Sequence, residues 1–205
     1  AGASADSPRR ILRIAANASV EVHNLTLRGA YMPTGSDPGG GAVSNAGTLR
    51  MYGCNLTSNT GYIGAAIFST GSLQLFQSAV VGNLATGNYA IYIDAGVAEI
   101  RDCVLERNKR GALASFAPTW IYDSIFRANR IQSEGGAIFN ADELTLVRTH
   151  IIGNEATRGV AGGIQNAGAN ARLDMRDCLI ADNIAATQGG GLLNTQGGAN
   201  LSTTV

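Results

Sequence analysis

The sequence predicts an all-β fold, a parallel β-helix (solenoid), and three observations support this prediction. A Gly-Gly-Ala segment, as at residues 135–137, is repeatedly followed by an apolar-x-x-Asn segment, as at residues 151–154. The closing asparagines recur at intervals of 21 to 29 residues, which is typical of a repeat array whose units stack on one another. Apolar and polar residues alternate within each repeat, which indicates strands with one buried face. The closing asparagines are Asn59, Asn83, Asn108, Asn129, Asn154 and Asn183.

Three mostly apolar positions precede each closing asparagine by ten, eight and three residues. They are Leu49, Leu73, Ala98, Thr119, Leu144 and Leu173; Met51, Leu75, Ile100, Ile121, Leu146 and Met175; and Leu56, Val80, Leu105, Phe126, Ile151 and Ile180. The phase changes between the second and third positions, which predicts a bend near an intervening slot that holds Cys, Ser or Thr. A helix is a poor alternative because no 3.6-residue period persists and glycine recurs in every repeat.

The Gly-Gly-Ala segment leads into another short strand of each coil. Its inward positions are Val43, Ile67, Ile91, Leu113, Ile138, Ile164 and Leu192. Two residues later stands a second, often asparagine, position: Asn45, Ser69, Ile93, Ser115, Asn140, Asn166 and Asn194. Asparagine tolerates left-handed backbone and bonds to the backbone two residues on. Each coil is therefore expected to contain about three strands and two Asn-marked turns, with amides bonded to one another along the axis.

The repeats extend over most of the 205 residues. Residues 11–28 form an early coil, and residues 31–41 form a longer, turn-rich loop. We expect residues 1–10 to be a linker or a processed end, and residues 11–205 to be one β-helix domain of a longer polypeptide. Its length corresponds to about eight coils of ~24 residues.

The charge balance and the three cysteines exclude several classes of partner. Fifteen basic and fifteen acidic residues give a net charge of +0, so no net field attracts nucleic acid. No apolar run reaches the ~18 residues of a membrane span. Cys54, Cys103 and Cys178 share one slot in different coils, and coils ~4.8 Å apart would hold them beyond the ~7 Å limit for a disulfide. We expect free buried thiols, and neither a metal site nor a cofactor.

The motifs resemble those of a known group of proteins. Gly-Gly-Ala-Val at residues 40–43, Gly-Gly-Ala-Ile at residues 135–138 and Phe-Arg-Ala-Asn at residues 126–129 are similar to the GGA(I/L/V) and FxxN motifs of the chlamydial polymorphic outer membrane proteins. Such right-handed parallel β-helix repeats occur in bacterial surface and autotransporter-like proteins. The resemblance covers residues 11–205 and implies a right-handed coil and a secreted or surface location.

An outward strand position carries a stripe of aromatic and arginine residues. It contains Tyr52, Phe76, Arg101, Tyr122 and Arg176. Aromatic rings that stack on sugars, with arginines for carboxylates, would form a polysaccharide-binding groove. The alternative is structural, because aromatic residues suit exposed strand faces in any case.

The next position along the chain offers a carboxylate pair. Asp102 and Asp123 should lie about 5 Å apart on adjacent coils, and together with Arg101 they are the candidate catalytic residues if the protein is an enzyme. The alternative is a surface charge network in which Arg101, Arg148 and Arg176 neutralise the carboxylates. The Asp-Asp, Gly-His-Gly and Arg-x-Lys pattern of β-helix pectinases is absent from the sequence.

Other polar residues are weaker candidates. Lys109 stands beside Arg107 and Arg110, which suggests either a lyase-like basic cluster or a solvated turn. His23 and His150 have no second histidine nearby in the sequence, which favours a structural role.

Together these features predict a non-catalytic adhesive rod whose lateral face meets a glycan or protein ligand. A polysaccharide lyase or hydrolase is the first alternative. The second is a filament or layer subunit that associates end to end through unpaired strand edges.

Overall fold

The computed structural model describes residues 9–34 and 39–203 and shows a parallel β-solenoid of about seven turns, which confirms the predicted architecture. About eight coils were expected, but the final coil contributes to two of the three long sheets only. The described part of the chain contains no helix, and therefore none that could cross a membrane. Residues 1–8 of the expected linker lie outside the described residues, and Arg9 forms an antiparallel bridge with Tyr31.

Three long parallel sheets run along the axis. Sheet I contains Leu12–Ile14, Val43–Asn45, Ile67–Ser69, Ile91–Ile93, Leu113–Ser115, Ile138–Asn140, Ile164–Asn166 and Leu192–Asn194. Sheet II contains Ser19–His23, Thr48–Tyr52, Ser72–Phe76, Val97–Arg101, Thr119–Tyr122, Glu143–Val147, Arg172–Arg176 and Gly198–Ser202. Sheet III contains Thr26–Arg28, Asn55–Thr57, Ala79–Val81, Val104–Glu106, Ile125–Arg127, His150–Ile152 and Leu179–Ala181.

Two short sheets occupy the part of the coil between sheets III and I. One contains Tyr31–Met32, Thr60–Ile63 and Leu84–Asn88, and the other contains Arg130–Ile131, Glu155–Ala156 and Ile184–Ala185. Lys109 forms parallel bridges to both Leu84 and Arg130 and so links the two sheets.

The four predicted inward positions form one continuous core. Their side chains are buried in nearly every coil, including the single threonine, Thr119. Ile180 and Leu192 are only half-buried because they lie on the outermost strands of sheets III and I. Stacking identical inward positions thus buries apolar surface that no single coil buries alone.

Residues with positive φ mark three corners of the coil. One column precedes the Cys/Ser/Thr slot, a second precedes the closing asparagine, and a third begins the Gly-Gly-Ala segment. They contain Asn24, Gly53, Gln77, Asp102, Asp123, Arg148 and Asp177; Gly29, Ser58, Gly82, Arg107, Ala128, Gly153 and Asp182; and Gly40, Gly64, Gly135, Ala161 and Gly189, with Tyr89 and Gly111 one position later in their coils. The residue before each closing asparagine, and not the asparagine itself, has the left-handed conformation.

The second glycine of the Gly-Gly-Ala motif is explained by close backbone contact. A Cβ atom on Gly136 would lie 2.0 Å from the carbonyl oxygen of Gly162 in the next coil. The motif therefore pairs one residue that turns left-handed, Gly135, with one that lets adjacent coils approach.

The closing asparagines form a buried amide ladder. The sequence predicted such bonds for the second asparagine position, where Asn140 Nδ2 does donate to Asn166 Oδ1 at 2.7 Å. Asn59 Nδ2 donates to Asn83 Oδ1 at 3.1 Å, and Asn83 Nδ2 donates to Asn108 Oδ1 at 3.0 Å. The same oxygens accept the backbone N–H of the preceding asparagine, both at 3.0 Å. Each Nδ2 also donates to a strand carbonyl, such as that of Leu56 at 2.9 Å from Asn83. The ladder continues through Asn129, Asn154 and Asn183.

The Cys/Ser/Thr slot forms a second ladder. The Ser78 hydroxyl accepts the backbone N–H of Cys54 at 2.9 Å and donates to the carbonyl of Phe76 at 2.7 Å. The Cys103 thiol repeats this pattern, accepting from Ser78 N and donating to the Arg101 carbonyl. The slot needs a small side chain that both donates and accepts, which Cys, Ser and Thr supply.

The three cysteines are free, as predicted, and Cys54 and Cys103 are buried. The prediction of burial was wrong for Cys178, which is half-exposed because fewer strands cover it near the last described coil. Burial raises the pKa of the Cys103 thiol to about 12. The folded protein therefore holds this thiol neutral at alkaline pH.

Replacement of an interior ladder asparagine should destabilise the protein strongly. In Asn83→Ala the backbone N–H of Asn59 loses its acceptor and the Leu56 carbonyl loses an amide donor, so the free energy of unfolding should fall by roughly 2–4 kcal/mol. The control, Asn55→Ala on the exposed strand face, should change it by no more than ~0.5 kcal/mol. Urea denaturation measures both, and equal losses would contradict the ladder's importance.

Cys103→Ser should gain stability relative to the wild type as pH rises. A raised folded-state pKa contributes stability that is present below the unfolded pKa of ~8.5 and is lost as pH climbs towards the folded value. Serine, which occupies this slot at Ser78 and Ser124, does not titrate in this range. The free energy of unfolding of the variant should therefore rise relative to that of the wild type by about 1 kcal/mol per pH unit above ~9. An unchanged difference between pH 7 and pH 10.5 would refute the argument.

Candidate functional site

The predicted stripe is a single column on the outer face of sheet II, called here the aromatic–arginine column. Strand register aligns its members coil by coil: His23, Tyr52, Phe76, Arg101, Tyr122, Val147 and Arg176. His23 and Val147 were not among the predicted binding residues. All five residues that the sequence singled out for ligand binding therefore lie in one line along the axis.

Many side chains of this column contact one another. The rings of His23 and Tyr52 stack with centroids 4.8 Å apart, and those of Tyr52 and Phe76 lie 5.2 Å apart. The guanidinium of Arg101 lies over the Tyr122 ring, 4.4 Å from its centroid. Both faces of the Tyr52 ring are thus covered by neighbouring coils. The part of the column formed by His23, Tyr52 and Phe76 therefore presents ring edges to solvent. This is a weaker arrangement for stacking on a sugar than the sequence suggested.

Trp120 is the residue that the sequence reasoning missed. It shares a strand with Tyr122 and projects from the same outer face, two positions away. Its side chain is 37% exposed, and none of the ring or cation–π contacts among the described residues involves it. Its slot holds polar residues in the neighbouring coils, so no repeated aromatic pattern marked it. Trp120 therefore offers a large ring that no neighbouring ring covers.

Ion pairs within strands hold the arginines of the column. Arg101 Nη2 lies 3.0 Å from Glu99 Oε1, and Arg176 Nη2 lies 2.7 Å from Asp174 Oδ2. Gln74 Nε2 donates to the other oxygen of Glu99 at 3.4 Å. Arg101 is positioned by Glu99 on one side and by the Tyr122 ring on the other, which fixes its guanidinium beside the aromatic surface.

Asp102 and Asp123 occupy successive coils as predicted, and both have positive φ. Short polar side chains tolerate this conformation, so the corner itself accounts for aspartate at this position. Arg148 binds Asp123 through two bonds, Nε to Oδ1 at 2.6 Å and Nη2 to Oδ2 at 2.8 Å. The hydrogen bonds from Arg148 lower the pKa of Asp123. A general acid needs a raised pKa, so the geometry at Asp123 favours the surface charge network over an acid–base pair.

The other candidates are dispersed. His23 bonds to Glu21 at 2.6 Å and stacks on Tyr52, while His150 is exposed on sheet III. Arg107 pairs with Glu106, a nearly buried carboxylate that also binds Arg127. Among the described residues no group of three or more His, Cys, Asp or Glu side chains is placed to hold a metal ion.

A second aromatic cluster on sheet I also escaped the sequence reasoning. Phe68 and Tyr92 stack with centroids 5.9 Å apart, and Phe116 bridges from Tyr92 to Phe139 at 5.1 and 5.5 Å. Phe68, Tyr92 and Phe139 lie between the inward position and the asparagine position of sheet I, whereas Phe116 directly follows the asparagine position at Ser115. The repeat is defined by those two positions, so its period gave no indication of the rings beside them. Phe68 is buried, and Phe116 is 38% exposed.

Comparison with protein-family models, with curated proteins and with solved structures found no match to this chain. The sheet II face, with Arg101, Trp120 and Tyr122 at its centre, is therefore assigned as the candidate site on its own geometry.

The pKa of Asp123 tests the charge-network interpretation. Carboxyl-detected NMR titration should give a value below the usual ~3.9, and Arg148→Gln should raise it towards that value because the bidentate partner is lost. The control, Arg172→Gln, removes an arginine that pairs with Glu143 instead and should leave Asp123 unchanged. A wild-type Asp123 pKa above ~3.9 would instead support an acid–base role.

Proposed function

We propose that this chain is a non-catalytic adhesive repeat domain of a secreted or surface protein, and that its sheet II face binds a glycan. One observation carries the proposal: the uncovered Trp120 ring stands beside Tyr122 and the positioned guanidinium of Arg101. Aromatic rings pack against the apolar faces of sugars, and a neighbouring arginine donates to hydroxyl or carboxylate oxygens. The resemblance to bacterial surface repeats supports the location.

The scaffold suits this role physically. The ladders at the corners fix the register of every coil, so outward side chains are held without dependence on long loops. A preorganised surface loses little conformational entropy on binding. Because Asp123 is committed to Arg148, a hydrolytic or lyase reaction at Asp102 and Asp123 receives less support from the geometry.

Tryptophan fluorescence provides a direct test, because Trp120 is the only tryptophan in the chain. Titration with a panel of neutral and acidic oligosaccharides should shift the Trp120 emission for the bound glycan. Calorimetry should then show Trp120→Ala binding roughly tenfold or more weakly. The matched control is Phe116→Ala, which removes an aromatic residue of similar exposure directly after a strand of sheet I, and this variant should bind as the wild type does.

Three outcomes would overturn the proposal. Equal losses of glycan affinity in Trp120→Ala and Phe116→Ala would mean that sheet II holds no specific site. A fall in polysaccharide mass on light scattering would establish an enzyme. Protein mass that rises with concentration, without glycan binding, would favour the self-assembling rod.

A further inference from the structure

A groove of about 500 Å³ lies on a different side of the coil, in the short sheets between sheets III and I. Four cationic side chains line it: Lys109, Arg110, Arg130 and Arg158. Gln132 and Thr157 add neutral polar groups to the wall. The groove is remote in the coil from the sheet II face and shares no residue with it.

Four successive coils line the groove, the cations lie on three of them, and backbone bonds hold these coils in register. Lys109 pairs with Arg130 in a parallel bridge, and Arg110 N donates to the carbonyl of Arg130 at 2.6 Å. Arg158 N donates to the carbonyl of Gln132 at 3.1 Å. Lys109 and Arg130 therefore lie on adjacent coils at the ~4.8 Å spacing of parallel strands. Arg158 lies on the next coil, three residues beyond Glu155, the residue that pairs with Arg130 in the strand register.

Most of this positive charge has no counter-charge within the described residues. Arg130 pairs with Glu155 at 3.2 Å, but no ion pair within 4.0 Å engages Lys109, Arg110 or Arg158. Six arginines elsewhere do have carboxylate partners: Arg101, Arg107, Arg127, Arg148, Arg172 and Arg176. Because the chain has as many acidic as basic residues, the cluster is a local concentration of charge.

We propose that this groove binds an acidic glycan, a linear sugar chain that carries carboxylate or sulfate groups. Cations on three successive coils match anionic groups that repeat along a polymer, and arginine forms paired hydrogen bonds to such groups. Gln132 and Thr157 supply partners for sugar hydroxyls, and the exposed side chain of Leu84 at the edge of the groove supplies an apolar contact for a ring face. The site is separate from the one on sheet II.

Lys109 gives a specific probe because it is the only lysine in the chain. Reductive ¹³C-dimethylation keeps its charge, and its resonance reports on the groove. Heparin or polygalacturonate oligosaccharides should shift that resonance, while neutral maltooligosaccharides should not. Failure of the sheet II proposal would appear separately, as unresponsive Trp120 fluorescence. Absence of any Lys109 shift with both acidic glycans at low salt would overturn the groove proposal.

Charge-matched variants provide the second arm. A triple variant should weaken acidic-glycan binding by roughly tenfold and reduce its salt dependence. It combines Lys109→Gln, Arg110→Gln and Arg158→Gln. The control combines Arg13→Gln, Arg28→Gln and Arg172→Gln, three exposed arginines spread over sheets I, III and II, and changes the net charge equally. Equal weakening in both would show non-specific attraction and refute the site. Polyphosphate that binds as tightly as the glycans would refute the assignment to sugar.

Discussion

Hydrogen bonding between coils is the constraint on which the structure depends. A parallel solenoid leaves each coil with an unfilled set of backbone donors and acceptors at its corners, where strand pairing is interrupted. The asparagine ladder satisfies these groups with side-chain amides, and the Cys/Ser/Thr ladder does so with hydroxyls and thiols. Because successive ladder members bond to the same slot in the next coil, a shift in register would leave buried polar groups without partners at several corners at once.

The corners also explain much of the composition. Three left-handed positions per coil favour glycine, asparagine and aspartate, and close contact between coils requires the second glycine of the repeat. The backbone conformation at a corner can therefore explain a residue that resembles a catalytic candidate in the sequence. Asp102 and Asp123 illustrate this, since the conformation they adopt is one that short polar side chains tolerate well.

Features that repeat in every coil were predictable, and features confined to one or two coils were not. The inward positions, the amide ladder and the common line of Tyr52, Phe76, Arg101 and Tyr122 follow from a strict period, because register converts sequence spacing into spatial alignment. Trp120 has polar neighbours in its slot, so periodicity gave no indication of it. Which loop cations have partners depends on side-chain positions in adjacent coils of unequal length, which a single sequence does not specify. The hand of the coil stays a prediction.

The rigid register allows this solenoid to present two separate surfaces, one aromatic and one basic. The central claim is that buried asparagine amides hold this register. Hydrogen exchange of the ¹⁵N side-chain amides measures it most directly. The amides of Asn83, Asn108, Asn129 and Asn154 should exchange as slowly as the backbone amides of the sheets. Exchange as fast as that of the exposed Asn55 side chain would contradict the account.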